Sequence, residues 1–387
     1  MRRVVILLLA AVLALLPSGA ARAQSTLRIG MTASDIPYTG GQTDNGFEGF
    51  RFVGYQIYEP LIAWDLSRGD RLAPLVPGLA ESWEVRKDAP TKWVFKLRRG
   101  VTFHDGSPFN ADAVVFSYES IKKKDAPHFD SYGSGQVSFR LASLTGITKI
   151  DDYTVEFETN KPTSFVPYQV CYMVIVSPTQ WQKFKDWRKF AEQPSGTGPF
   201  RVTRFVPRER LELEANKQYW DAKRRPKIDK LVLLPLPEPT TRLAALRSGQ
   251  VDWIEVPPPD SIPQLKGAGF QITTNSYPHN WTHTLRLDKE PWSGFGRFFH
   301  SKAVVPVAVN TMPYINPEAD KLIEEAERTF DIGKQNETLA RLHEIIVDDA
   351  PWIFVVHDQN PRALSAKVKG FVQPQSWFAD LTSVTVR

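Results

Sequence analysis

Histidines, acidic pairs and a single thiol are the side chains in this sequence with the types to support chemistry. His279 and His283 are four residues apart, with His300 close behind. On a strand two such imidazoles share a face, which is the start of a divalent-metal site, although nothing in the pattern fixes the outer partners such ligands need. Asp151-Asp152 and Asp348-Asp349 are adjacent in sequence, and adjacent residues do not share one face of a helix or strand, so neither pair makes an acid–base couple. Cys171 is the one cysteine and sits in an apolar run, so an internal disulfide is excluded and a buried thiol is expected. The chain contains no Gly-x-Ser-x-Gly elbow and no His-Glu-x-x-His. Ser195-Gly196-Thr197-Gly198-Pro199-Phe200 is glycine-rich, but no Gly-Lys-Ser/Thr follows, so it is no phosphate loop. These absences argue against an enzyme and imply no cofactor. The aromatic supply is more informative: 11 Trp, 11 Tyr and 23 Phe are enough to fill a core and still line a binding cleft.

The elements that must position such residues are legible in the apolar periodicity. Trp93, Phe95 and Leu97 alternate with Val94, Lys96 and Arg98, the signature of a half-buried strand, and Trp83 and Val85 mark a shorter one before it. His104-Asp105-Gly106 makes a polar turn. A helix is expected next, capped by Asn110, with Asp112 in its first turn and Val114, Val115, Tyr118 and Ile121 as its apolar stripe. Leu27–Met31 reads as the first strand, Ile150–Glu158 as one alternating strand, and Phe165–Val176 as buried. Thr240–Leu246 is a helix, and the proline-rich Val256–Pro263 is a semi-rigid connector. Toward the end Asn316-Pro317 caps a helix with Ala319, Leu322, Ile323, Ala326 and Phe330 on one face. A second helix carries Leu339, Leu342, Ile345 and Ile346 and stops before Pro351; Trp352–Val356 is then an apolar strand.

At 387 residues the chain is too long for one ordinary core, so two or three lobes are expected. A net charge of +5, with no basic run longer than Lys122–Lys124, gives no nucleic-acid surface. Arg2-Arg3, the apolar stretch Val4–Leu16 and Ala21-Arg22-Ala23 before Gln24 read as a secretory signal peptide over residues 1–23. That stretch is shorter than the roughly 20 residues a membrane span requires. With no cysteine after the cleavage point, a periplasmic protein without a lipid anchor is expected.

The ordered run Ala80–Glu84, Trp93–Arg98, Phe103–Gly106, Pro108–Val115 and Ser117-Tyr118 resembles the signature of the family 5 bacterial solute-binding proteins, the receptors of peptide-type and nickel-type ABC importers. In one detail it departs: Ala113 stands where the Asp-Val spacing slips by one. The Gly-Thr-Gly-Pro-Phe turn at 196–200, Asn216–Trp220 and Leu246–Asp252 continue the resemblance. It implies an α/β, two-lobed, type II periplasmic-binding-protein-like fold with mixed sheets flanked by helices. The implied division puts the first lobe at 24–66, 190–282 and 357–387, a packed subdomain at 67–189 and the second lobe at 283–356. It also implies a monomer that takes a small solute, most simply a di- or oligopeptide, and works with membrane permease subunits. A nickel or metal-chelate receptor is the alternative on the same scaffold.

The same resemblance places the first loop at the mouth of the cleft and a hinge strand at Asn280-Trp281-Thr282-His283. Tyr38, Phe47, Trp281 and Trp377 are therefore candidates for cleft walls or, equally, for core packing. Asn280 and Arg286 are polar candidates on the hinge segment, and Asp288, Glu48 and Asp35 are charges with two readings, partners for a zwitterion or side chains facing water. Pro291-Trp292-Ser293 runs at once into Gly294-Phe295-Gly296 and Arg297–Ser301. Relative to the family, a stretch on the order of a hundred residues is missing there, leaving a truncated second lobe of about 65 residues, a size at which a lone core is marginal. A non-functional receptor, or weak binding, is the corresponding expectation.

Overall fold

The computed structural model describes residues 24–43, 48–276, 280–282, 296, 298–304, 310, 314–352, 354–357 and 359–387. In chain order the elements that matter begin with β1 (Thr26–Met31), β2 (Ile62–Trp64), β3 (Leu75–Pro77), β4 (Ala80–Arg86) and β5 (Ala89–Leu97). Helix α1 (Ala111–Lys122) precedes β6 (Leu144–Asp151) and β7 (Thr154–Thr159). Then come β8 (Phe200–Val206), β9 (Arg210–Ala215), β10 (Lys230–Pro235), α2 (Pro239–Arg247), β11 (Trp253–Glu255), β12 (Gln271–Thr273) and β13 (Asn280–Thr282). Last are α3 (Pro317–Arg328), α4 (Ile332–Asp349), β14 (Phe354–His357) and β15 (Arg362–Leu364).

Seven strands form one mixed sheet in the order β12-β15-β11-β1-β10-β9-β8. β1 runs parallel to both β10 and β11, and the remaining neighbours are antiparallel. The central strand explains its own position. Leu27, Ile29 and Met31 are fully buried, and a strand enclosed by two parallel neighbours must be apolar where helices and loops cover it. The sheet draws on three separated stretches of chain, so it closes only when the last of them, β15, has returned.

Between β1 and β8 the chain makes a second, antiparallel sheet, β4-β5-β7-β6. Trp93, Phe95 and Leu97 of β5 are buried, as their alternation predicts, and Phe95 meets Phe157 of β7 edge-on at 5.2 Å between ring centroids. Such a pair contributes about 0.5–1.5 kcal/mol beyond the area it buries. Helix α1 covers this face with Val114, Tyr118 and Ile121, and Asn110 caps it by accepting from the Ala113 amide at 3.2 Å. Both sheets share one continuous apolar cluster.

A separate, much smaller cluster joins α3 and α4: Phe298, Phe299, Ala319, Leu322, Ile323, Leu342, Ile346 and Trp352. The Asn316 side chain caps α3 by accepting from the Glu318 and Ala319 amides, with Pro317 in the first turn.

Three sequence expectations need correction. Ile150–Glu158 is two strands, not one, because Asp151 Oδ1 accepts from the Tyr153 amide at 2.8 Å and turns the chain between β6 and β7. The proline-rich segment after β11 is more than a connector: Pro259–Ser261 and Ile262–Gly267 are helical turns that bury Leu265. Phe330 is not on the packed face of α3, which ends at Arg328; it is 41% exposed and lies beside Trp93.

Candidate solute-binding cleft and its hinge

Two strands connect the large sheet to the helix pair. β13 leaves after β12, β14 returns before β15, and the two pair antiparallel, Asn280 opposite His357 and Trp281 opposite Val356. Their footing on the first lobe is fixed by polar contacts. The Asn275 amide donates to the Gln359 carbonyl at 3.2 Å, and its side chain donates to the Gly69 and Gln373 carbonyls, both at 2.7 Å. Gln373 in turn donates to the Asn360 carbonyl at 3.1 Å. Two adjacent strands crossing from a pinned base are the kind of link about which rotation of a few backbone dihedrals can turn one unit against another.

Beneath this hinge lies a buried ionic cluster. Glu255, at the end of β11, is bridged by Arg51 and by Arg362, the first residue of β15, whose Nε donates to Glu255 Oε1 at 2.9 Å. Trp253 Nε1 donates to the same oxygen at 2.8 Å. All three charged side chains are essentially inaccessible to solvent. Burial alone would push the Glu255 carboxyl up, but the Arg362 and Arg51 charges and the hydrogen bonds from Trp253 and Arg362 hold it below its usual value. Arg51 also donates through Nε to the Trp377 carbonyl at 2.6 Å.

Glu48 completes the arrangement by accepting from the amides of Thr32 and Ala33, each at 2.6 Å, where β1 ends and the first loop begins. Burial, then the neighbouring Glu255 charge, raises its pKa above the ordinary carboxylate value despite those amides. The cluster therefore ties together the first loop, the inner strands β11 and β15 of the large sheet and the C-terminal segment at Trp377. Removing one member of such a buried set costs about 3–5 kcal/mol, because the others are left charged and unsolvated.

The predicted site residues fall in different places. Trp377 is buried and contributes its carbonyl to Arg51, next to the hinge cluster. Asn280 and Trp281 are on hinge strand β13, where the backbone is described. Tyr38 belongs to another flank: its ring is 4.5 Å from that of Tyr132 and its Oη 3.3 Å from Asp130 Oδ2, so it ties the first loop to the short helix Ser131–Val137. Burial, followed by the Asp130 charge, pushes its phenol far above the ordinary tyrosine value. Phe47, Arg286 and Asp288 lie outside the described residues, as do His279 and His283.

Two of the suggested charges have structural work instead. Asp35 accepts from the Ile36 amide at 2.7 Å and the Arg208 amide at 2.5 Å, and Glu48 is consumed by the loop base. His300 lies 3.5 Å from Asp320 and 3.4 Å from Glu324. Among the described residues no group of three or more His, Cys, Asp or Glu side chains is placed to hold a metal ion. Arg51, Glu255 and Arg362 were not singled out from sequence. The only signal was a charge inside short apolar stretches, such as Trp-Ile-Glu at 253–255, and that pattern also fits an exposed strand edge.

The polar run His104–Ser107 forms a joint with the Ser195–Gly198 turn. His104 and Gly196 bond through their backbones, while the ring accepts the Gly196 amide at Nδ1 (3.4 Å) and faces the Gly198 carbonyl with Nε2 (2.9 Å). That set defines a neutral imidazole protonated at Nε2, and burial lowers its pKa to about 4. Asp105 accepts from the hydroxyls of Ser107 and Ser177, both at 2.5 Å. Gly198 is needed for close approach, since a Cβ there would meet the Gln56 and Ile57 carbonyl groups at 2.6 Å. Opposite this turn, Glu59 accepts from Tyr219 Oη, Trp220 Nε1 and Thr197 Oγ1 at 2.6–2.8 Å, and it lines a cavity of about 620 Å³. Turn, histidine and carboxylate together lock the four-stranded sheet onto the large one.

A mixed sheet, an inserted antiparallel sheet and a helix pair carried on two crossing strands define a two-lobed α/β protein of the periplasmic-binding type. Residues 74–304 match the family described as bacterial extracellular solute-binding proteins, family 5 Middle, and the chain belongs to that family. Its fold and family are those of transport binding proteins. The dipeptide-binding protein of Escherichia coli (strain K12) is 31% identical over 209 residues, covering 50% of this chain and 38% of that protein. Di/tripeptide-binding protein 1 of Pseudomonas aeruginosa (strain UCBPP-PA14) is 27% identical over 299 residues, covering 69% of this chain and 55% of that protein. The chain thus spans about half, or less, of the length of these relatives. Among solved structures, HbpA2 from Haemophilus parasuis superposes with a TM-score of 0.79 at 19% identity, over 94% of this chain and 100% of that one.

Proposed function

We propose that this chain is an extracytoplasmic receptor that captures a di- or oligopeptide-like solute between its lobes and delivers it to the permease of an ABC importer. The observation that carries this reading is the β13–β14 hinge standing on a rigid ionic base, the machinery of a clamshell. Such a device needs no catalytic group. A solute that binds the closed form better shifts the open–closed balance, and the closed form is what a permease recognises. Peptide-binding relatives support the solute class.

In this reading residues 24–66, 190–282 and 357–387 form the first lobe, 67–189 a subdomain on it and 283–356 the second lobe. Residues 1–23 direct the chain to the periplasm, where it acts as a monomer. Tyr38, Phe47, Trp281 and Trp377 wall the cleft, and Asn280 and Arg286 supply polar contacts. Each aromatic ring that stacks on the solute removes roughly 150–250 Å² from water. The second lobe is shortened relative to the family and provides fewer partners for a zwitterion, whose buried charges cost several kcal/mol each when unpaired. Binding weaker than micromolar follows. Titration calorimetry with a panel of di- and tripeptides is expected to give saturable heats with Kd above 1 µM, that is, less than about 8 kcal/mol of binding free energy. No saturable heat with any peptide would remove the receptor reading, and micromolar or tighter binding would remove the argument from the shortened lobe.

A further inference from the structure

The lobes meet at a second place, far in sequence from the hinge. Between β7 and the short helix Val166–Val170, the segment Lys161–Phe165 reaches the turn that joins α3 to α4. The Ser164 amide donates to the Glu327 carbonyl at 2.9 Å, and its hydroxyl lies 3.1 and 3.2 Å from the Glu327 and Ala326 carbonyls. Gln335, near the start of α4 and buried, donates to Ser164 Oγ at 2.7 Å and to the Ala326 and Thr329 carbonyls at 2.9 and 3.0 Å. Lys161 is ion-paired with Glu327, and the Phe330 ring lies 6.0 Å from that of Trp93, whose Nε1 donates to the Thr163 carbonyl at 3.2 Å.

The physical logic is that of a helix end. The last carbonyls of α3 have no partners within the helix and must find them elsewhere. Here Ala326 takes the Thr329 amide at 3.3 Å, and the further partners come from across the lobe boundary, through Ser164, and from Gln335, which binds the helix end and the serine at once. Separating the lobes would strip carbonyl groups of donors on one side and leave Gln335 with one acceptor fewer. The ion pair, largely exposed, adds little and is screened by salt.

We propose that the 161–165 segment and the α3–α4 turn form a latch that holds the two lobes together in the absence of solute, so that release of this latch is the opening step. The proposal rests on the receptor reading for its purpose, but the latch itself is measured without any peptide. In this arrangement the resting receptor is biased closed, and solute entry waits on latch opening. The affinity for solute is then tuned from Ser164 and Gln335, residues outside the cleft walls.

The test is site-resolved amide hydrogen exchange on the full mature chain without solute, reading the Ser164 amide. Wild type is expected to protect it well beyond an exposed loop amide. Gln335→Ala should speed its exchange about tenfold, the loss expected for one buried hydrogen bond in a two-state latch, while amides of β5 and β7 stay unchanged. Should Gln335→Ala disturb α4 itself, Ser164→Ala serves instead: it removes the hydroxyl contacts to the Ala326 and Glu327 carbonyls and the acceptor for Gln335, and should speed exchange of the residue-164 amide. An unprotected Ser164 in wild type, or exchange indifferent to both variants, overturns the latch. Calorimetry that finds no peptide binding while Ser164 remains protected would defeat the receptor reading and leave the latch standing.

Discussion

The two lobes are built to different standards. In the first, a large apolar cluster runs through the mixed sheet and the inserted sheet, from Leu27 to Val384, and a smaller one packs Leu246, Ile254, Leu265 and Ala363 against the mixed sheet. The joint between the sheets is buried and hydrogen-bonded through Glu59 and His104. In the second, eight buried side chains among the described residues hold two helices together. Apolar burial grows faster than size, so a small unit secures less stabilisation per residue than a large one. The helix pair therefore depends on what it borrows: two hinge strands, and the contacts of its α3–α4 turn with Ser164 and Trp93. The helix pair is thus a small unit completed by the larger one it packs against.

The sharpest way to break this comparison is a matched pair of truncations. Phe157→Ala removes a fully buried ring from the inserted sheet, and Trp352→Ala removes a nearly buried one from the helix pair. Each deletion costs about 3–5 kcal/mol at its site. Because Phe157 belongs to the large cluster that both sheets share, Phe157→Ala is expected to lower the main denaturant midpoint. Trp352→Ala should leave that midpoint close to wild type and instead abolish exchange protection across α3 and α4. Equal shifts of the main transition by both variants would mean that the lobes unfold as one unit.

A smaller effect tests the joint. His104 is neutral in the folded chain with a pKa near 4, against an ordinary 6.5, because burial disfavours the imidazolium. The unfolded chain takes up this proton first as pH falls. The histidine's contribution is thus intact above pH 6.5 and is lost progressively between 6.5 and 4, by up to about 3 kcal/mol. His104→Gln removes that part of the pH dependence at some cost in absolute stability. Urea unfolding at pH 7 and pH 4.5 measures both, and a His104→Gln profile as steep as wild type would show that other groups carry the slope.

How far the sequence spoke follows the same divide. Where neighbours in sequence decide the structure, the reading held: the alternation of β5, the Asn110 and Asn316 caps and the stop of α4 at Asp349 are all local effects. Ile150–Glu158 misled because its alternation continues across a turn made by one aspartate–amide bond, which periodicity does not register. Phe330 misled because its helical spacing is right but the helix ends first, and its ring packs toward Trp93 in the other lobe. The Arg51–Glu255–Arg362 cluster is invisible in the sequence, since its members come from segments 204 and 107 positions apart, a helical turn at Gly49–Gly54 and the strands β11 and β15. Glu48 and Asp35 look like free charges in the sequence because it cannot show that backbone amides bond to them.

The two N-caps give the finest comparison, because an asparagine caps a helix in each, although Asn316 also donates to Asp349 at 2.7 Å. Asn110 accepts from the Ala113 amide at the start of α1, and Asn316 accepts from the Glu318 and Ala319 amides at the start of α3; each helix is 12 residues long. Replacing either with alanine costs about 1 kcal/mol of helix stability. In α1 the cost is shared with a large cooperative core, so Asn110→Ala should shift the main transition slightly and leave local exchange rates near wild type. In α3 the same cost falls on a unit with little reserve, and Asn316→Ala should raise exchange in the first turns of α3 about fivefold while the main transition stays in place. It should also loosen the Ser164 amide, since the far end of α3 is the surface that amide holds. If both caps moved the main transition equally and neither changed local exchange, the second lobe would be as well anchored as the first, and its small core would be no measure of its independence.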